Sequence, residues 1–175
     1  MKKIYLAGGC FWGVQHYLSL INGVEKTMVG YANSDIKSPS YEDLKAHRSL
    51  ASETVEVVYD ENRISLKELL DLFFMIIDPT ILDQQGHDIG HQYRTGIYYV
   101  DEEDVDIIKE SLDELSRKYD KPIVTELLPL DNFTIGEDYH QDYSSCIHRS
   151  CRTWNDSALS GLWMCSYVER CASQM

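Results

Sequence analysis

One cysteine stands apart from the other four in this chain. Cys10 follows Gly8-Gly9 and precedes Phe11-Trp12-Gly13, whereas Cys146, Cys151, Cys165 and Cys171 all fall after Tyr143. An odd number of cysteines argues against a disulfide framework and for at least one free, reactive thiol. Apolar residues at Phe11, Val14, Leu18 and Ile21 recur at helical spacing, after a short apolar strand Lys3–Ala7. Cys10 therefore falls in a tight strand-to-helix turn, at the first turn of the helix. There it faces unsatisfied backbone N–H groups and the positive end of the helix dipole. That placement predicts a thiolate, with a pKa below the free-thiol value of about 8.5. The glycines at 8, 9 and 13 allow a substrate to approach closely, and Phe11 and Trp12 offer an apolar wall beside the sulfur. Position alone does not separate such a nucleophile from a buried structural cysteine, the commoner fate of a lone thiol. Gly13 takes the fourth place of a Cys-x-x-Cys, so a thioredoxin-type dithiol is absent here.

The elements that must position this turn are readable in outline. A second strand is expected around Thr27–Tyr31, a turn-rich loop over Ala32–Ser40, and a β-branched strand over Thr54–Tyr59. Ser65 and Glu68 form a capping box that opens a helix from Leu66 to Ile77, and Asp78-Pro79 stops it. Residues 84–92 are too polar for a core element. Tyr93–Val100 reads as a strand, Glu102–Tyr119 as an amphipathic helix with Val105, Ile108, Leu112 and Leu115 inward, and Pro122–Leu128 as a last strand. The order predicts an α+β fold with helices layered on one sheet.

Composition narrows the classes. With 175 residues, 43% of them apolar and 26% charged, the chain has the size and make-up of one globular domain with its own core. Sixteen basic against 29 acidic residues give a net charge of −13, which disfavours a nucleic-acid partner. The longest apolar run, Leu72–Ile77, is far too short for a bilayer, and the N-terminus lacks a signal-peptide core. No membrane association and a cytoplasmic location are the expectations. After Tyr143 the composition changes. Residues 1–143 carry 13 basic and 27 acidic residues (−14), and residues 144–175 carry 3 and 2 (+1), with two of the three tryptophans. The chain is expected to divide into a catalytic domain, 1–143, and a Cys-rich tail, 144–175.

The segment Gly9-Cys10-Phe11-Trp12-Gly13 resembles the nucleophile motif of the A-type peptide methionine sulfoxide reductases, the family that reduces the S epimer of methionine sulfoxide. Further blocks resemble that family in order. They are Gly30-Tyr31 with Pro39-Ser40-Tyr41-Glu42, then Ser52-Glu53-Thr54 leading to Asp60. Asp78-Pro79-Thr80 runs on to Gln85-Gly86-His87-Asp88-Ile89-Gly90-His91-Gln92-Tyr93-Arg94, and Glu137-Asp138-Tyr139-His140-Gln141-Asp142-Tyr143 closes the series. Together they span residues 4–143, about four-fifths of the chain. Nothing after Tyr143 resembles the family's glycine-rich C-terminal segment.

The resemblance implies a two-layer α/β sandwich with a ferredoxin-like mixed sheet. It implies reduction of methionine sulfoxide, free or in peptides and proteins, through a Cys10 sulfenic acid recycled by thioredoxin or a similar thiol donor. That is protein repair after oxidation, by a monomer without metal or organic cofactor. Carried over, Cys10 is the nucleophile, and Phe11 with Trp12 receives the S-methyl group. Glu53 is the acid beside the sulfoxide oxygen, Tyr31 and Tyr93 hydrogen-bond that oxygen, and Asp88 and His140 belong to the polar network around it. The chemistry agrees with these roles. Attack at a sulfoxide sulfur leaves charge on oxygen and needs a placed proton donor, and a carboxyl among aromatic side chains is kept neutral by desolvation. Two positions depart from the family. Gln15 stands where a Glu is usual, and Leu50-Ala51-Ser52 where Gly-His-Ala is usual before the acid. Resolving candidates are Cys151, eight residues past Tyr143, and then Cys146. Zinc binding through His148 finds no Cys-x-x-Cys or Cys-x-x-His spacing. Two other readings of the residues are a thiol peroxidase using Cys10 and a non-enzymatic module whose Cys- and Trp-rich tail binds a partner or metal.

Overall fold

The computed structural model describes residues 1–143. In chain order the main elements are β1 (Lys2–Gly8), α1 (Phe11–Ser19), β2 (Val24–Ala32), α2 (Tyr41–Lys45), β3 (Ser52–Tyr59) and α3 (Leu66–Phe74). There follow a two-strand hairpin of β4 (Gln84–Gln85) and β5 (Asp88–Ile89), then β6 (Thr95–Tyr99), α4 (Val105–Ser116), β7 (Glu126–Pro129) and β8 (Phe133–Ile135). Six strands form one sheet in the order β7-β6-β1-β3-β2-β8. All neighbours are antiparallel except β6 with β7. The inner four, β6-β1-β3-β2, with crossovers through α1 and α3, have the βαββαβ winding expected of a ferredoxin-like sheet.

Strand alternation divides the core between the two faces of the sheet. Ile4, Leu6, Val29, Tyr31, Val55, Val57 and Ile97 point toward the helices and pack with Phe11, Val14 and Leu18 of α1, Leu69, Leu70 and Phe73 of α3, and Ile108 of α4. Side chains such as Leu69 and Phe73, fully buried here, each contribute about 1.5–3 kcal/mol through removal of apolar surface from water. The opposite face carries Tyr5, Ala7, Ala32 and Tyr98, covered by Leu130 and Phe133, with the Tyr5 and Phe133 rings edge to face at 5.0 Å.

Helices α3 and α4 and strand β6 are shorter at their ends than the sequence pattern predicts, whereas β1, β2 and β3 extend beyond it. Helix α3 stops at Phe74, and Met75 and Ile76 donate to carbonyls three residues back, a tightened last turn. The helix expected from Glu102 starts as a 3₁₀ turn, and Tyr93 lies in another 3₁₀ turn before β6 begins at Thr95. The Ser65–Glu68 capping box is present. A second one, Ser40 with Asp43, opens α2 at the end of the expected loop.

Candidate active site

The nucleophile turn exists because two glycines make room for it. Gly9 has φ +85°, and a Cβ there would lie 2.6 Å from Cβ of Gln85; one on Gly8 would lie 2.7 Å from Cγ2 of Ile77. Only glycine allows the chain to pass this close and turn. Cys10 follows as the N-cap of α1, and its carbonyl accepts the Val14 N–H at 3.4 Å. The backbone N–H groups of Trp12 and Gly13 bond toward the sulfur and favour its thiolate, as the helix start predicts. Their effect is outweighed. Burial first, then the neighbouring carboxyls of Glu53 and Asp88, push the Cys10 thiol well above its ordinary value. The expected resting thiolate is therefore corrected to a neutral thiol, because desolvation of the charged form exceeds the pull of the helix terminus.

Glu53 lies at the start of β3 and is 2% exposed. One carboxyl oxygen, Oε2, accepts the Phe11 N–H at 3.1 Å, which ties the acid to the residue after the nucleophile. Burial pushes its pKa from 4.5 to about 8, against the Phe11 bond and with help from the charge on Asp88. No cation among the described residues compensates it, so at neutral pH the carboxyl keeps its proton, and the thiol's upward shift then rests on burial and on the Asp88 carboxyl.

Tyrosines surround this pair. The β2–β3 register sets Tyr31 directly across from Glu53, on the same face of the sheet. The Tyr31 hydroxyl donates to Oε2 of Glu137 at 2.5 Å, and the Tyr41 backbone N–H donates to Oε1 of the same carboxylate at 3.0 Å. Burial opposes ionisation of Glu137, yet these two donors hold its carboxyl below the usual value. Tyr41 itself is pushed up to about 12 by burial and by the charges of Glu53 and Cys10. The Tyr93 hydroxyl is raised by burial and lies in the fields of Glu53, Tyr41, Asp88 and Cys10. Asp88, on β5, also lies within the fields felt by Cys10 and Glu53.

An aromatic wall closes the other side. The Phe11 ring centroid is 6.2 Å from Trp12 and 6.0 Å from Tyr31, and Tyr143 stacks on Trp12 at 4.0 Å. His140 packs into this wall, 5.2 Å from Phe11, 5.4 Å from Trp12 and 4.7 Å from Tyr41. It is 2% exposed and burial holds its imidazole below the ordinary value, so the ring is neutral. Neither ring nitrogen makes a hydrogen bond among the described residues, and Nε2 stands 3.8 Å from Glu137. The structure thus places His140 among the rings rather than on the polar side with Glu53.

The last described segment is fastened to the site by side-chain amides. Gln141 accepts the Val29 N–H at 3.1 Å and donates to the Val29 and Gly136 carbonyls, both at 2.9 Å. Gln15, buried on α1, accepts the Asp142 N–H at 3.0 Å, so its amide retains a hydrogen bond at a position where the family usually has a carboxylate. Before Glu53, Ser52 bonds with Thr54 at 2.9 Å and donates to Tyr98 at 3.0 Å. The Tyr98 hydroxyl donates to Glu126, which pairs with Arg94, and Arg94 also holds the His91 carbonyl next to Tyr93.

Six of the expected residues, Cys10, Phe11, Glu53, Tyr31, Asp88 and Tyr93, are brought together, with Trp12 and His140 in the adjoining wall. Tyr41, Glu137, Gln141 and Tyr143 were not named as site residues, although each stands in a block that resembles the family. Cys146 and Cys151 lie outside the described residues. No cluster of three His, Cys, Asp or Glu suited to a metal occurs among the described residues, and no helix among them is long and apolar enough to cross a membrane.

The sequence matches the family described as peptide methionine sulfoxide reductase over residues 2–159. The chain belongs to the peptide methionine sulfoxide reductase family. The reductase is 57% identical over 143 residues to "Peptide methionine sulfoxide reductase MsrA" of Metamycoplasma arthritidis, covering 82% of this chain and 92% of that one. Its fold is similar to that of Mxr1 from Saccharomyces cerevisiae in reduced form. The TM-score is 0.77 at 34% identity, and the match covers 90% of this chain and 89% of that one. A structure of Mxr1 in complex with Trx2 aligns with TM-score 0.58 at 30% identity, over 81% of this chain and 84% of that one. The reductase is thus an α+β oxidoreductase acting on methionine sulfoxide. The family match continues past Tyr143 to residue 159, into the segment that carries Cys146 and Cys151.

Proposed function

We propose that the reductase acts on the S epimer of methionine sulfoxide, with Cys10 as nucleophile and Glu53 as proton donor. The Cys10 thiol gives up its proton and its sulfur attacks the sulfoxide sulfur. The sulfoxide oxygen takes the proton of Glu53; the resulting hydroxyl passes to the Cys10 sulfur as the new sulfur–sulfur bond and the substrate's sulfur–oxygen bond break, and the thioether methionine departs. Cys10 keeps the oxygen as a sulfenic acid, so methionine sulfoxide is reduced and the thiol is oxidised by two electrons. The proton from the thiol restores Glu53. The observation that carries this reading is a buried, protonated carboxyl hydrogen-bonded to the backbone next to a buried thiol. Trp12, with the edge of Phe11, is the surface against which the methyl group packs, and Tyr93 donates toward the oxygen as charge develops on it. Asp88 completes the polar side.

A second thiol then condenses with the sulfenic acid, releasing water and forming a disulfide that an external dithiol reduces. Cys151 is the first choice for that thiol and Cys146 the second, within a tail that follows a catalytic unit of residues 1–143. The Mxr1–Trx2 complex supports a thioredoxin as the external donor. We place the protein in the cytoplasm, as a monomer that repairs oxidised methionine in peptides and proteins. The test is reduction of the separate S and R sulfoxides with dithiothreitol as donor. The S epimer should be consumed by the wild type and untouched by Cys10→Ser; preference for the R epimer, or an active Cys10→Ser, would refute the reading.

A further inference from the structure

Glu137 joins three segments through one carboxylate. Its Oε2 accepts from the Tyr31 hydroxyl on β2, its Oε1 accepts from the Tyr41 N–H at the start of α2, and its own backbone opens the 3₁₀ turn Asp138–His140. Held below the usual carboxyl value by those donors, it is ionised and can only accept. Tyr31 is fully buried and has a single O–H, and that proton is already directed at Glu137.

We propose that Glu137 is a positioning residue of this reductase: it fixes Tyr31 and Tyr41 beside Glu53 and commits the Tyr31 hydroxyl proton, so that Tyr31 meets the substrate only as an acceptor. This rests on the Cys10–Glu53 reaction above and separates the two tyrosines expected to share the sulfoxide oxygen. Tyr93 donates to that oxygen as charge grows; Tyr31 shapes the site and accepts. Glutamine cannot replace Glu137. An amide has one oxygen, so its NH₂ either opposes the Tyr41 N–H, donor against donor, or points at Tyr31 and releases the proton that Glu137 holds.

The experiment compares kcat and KM for methionine S-sulfoxide, supported by dithiothreitol, in wild type, Tyr31→Phe, Tyr93→Phe, Glu137→Gln and the Tyr31→Phe/Glu137→Gln double variant. Loss of a donor to a developing oxyanion costs about 100-fold or more in kcat, and that is expected for Tyr93→Phe. Tyr31→Phe should lower kcat by less than ~10-fold, below the oxyanion-donor range. Glu137→Gln should lower kcat by ~10-fold with KM unchanged. The double variant should be no worse than Glu137→Gln alone, because both changes act through one hydrogen bond. A Tyr31→Phe defect as deep as that of Tyr93→Phe would overturn the proposal, as would defects of Tyr31→Phe and Glu137→Gln that multiply. Should Glu137→Gln fail to fold, the two tyrosine variants decide the matter alone. All comparisons are relative to an active wild type, so a wild type inert toward the sulfoxide refutes the proposed reaction and not the role of Glu137.

Discussion

Glu53 and Glu137 lie on either side of Tyr31, one on the central strand β3 and one in the loop that follows β8, and they are held in opposite charge states. Among the described residues Glu53 has one backbone donor and no cation, and burial raises it to about 8. Glu137 is less buried, receives the Tyr31 hydroxyl and the Tyr41 N–H, and stays ionised. Identical side chains within one site thus divide into a proton donor and a fixed acceptor, and the division is made by desolvation against the number of donors. The rigid sheet holds the group that must keep a proton. The loop holds the group that orients its neighbours.

The largest effect that tests this division is chemical. Glu53→Gln should retain the fold and lower kcat by about 10²–10⁴-fold, as loss of a general acid does, measured with the S-sulfoxide; an active Glu53→Gln would erase the distinction. The pH dependence comes next. Glu53 is protonated below and ionised above about pH 8, so kcat/KM should fall as pH rises through that value, and Glu137→Gln should keep the same alkaline limb.

Stability separates the two carboxyls by sign. Since the folded-state pKa of Glu53 lies above its unfolded value, its contribution is fully present below about pH 4.5 and is lost as pH rises to about 8. Glu53→Gln should therefore be more stable than wild type at pH 8, by at most ~5 kcal/mol, with the gain shrinking toward pH 4 in urea unfolding. Glu137→Ala should be less stable at pH 7, by ~1–3 kcal/mol, since it strands a buried hydroxyl and a backbone N–H. Gln141→Ala should lose a similar ~1–3 kcal/mol, because it leaves the Val29 N–H without its partner while Glu53 is untouched.

The fold was legible where periodicity is strong. β3 and the capped helix α3 follow directly from β-branched enrichment and from Ser65 with Glu68, and the inner-sheet winding follows from the family resemblance. Elements of two or three residues, such as the β4–β5 hairpin that carries Asp88 and the edge strand β8, leave no period to detect. Helix α2 has no counterpart among the elements read from sequence, because it is only five residues long and its cap pairs Ser40 with Asp43 rather than with Glu or Gln. In the site, the helix start at Cys10 was visible but its burial was not, which is why the thiol moves opposite to the expected direction. Glu137 stood in plain view in a motif, yet its partner Tyr31 lies 106 residues away, and only the folded sheet brings them together.

The state of Glu53 carries the whole account. With glutamate labelled at its side-chain carboxyl carbon by ¹³C, the resonance that disappears in Glu53→Gln can be followed across pH by NMR. A protonated carboxyl at pH 7 with a titration midpoint near 8 is the predicted result. A midpoint near the ordinary 4.5 would show an ionised Glu53 at neutral pH and contradict its role as the proton donor.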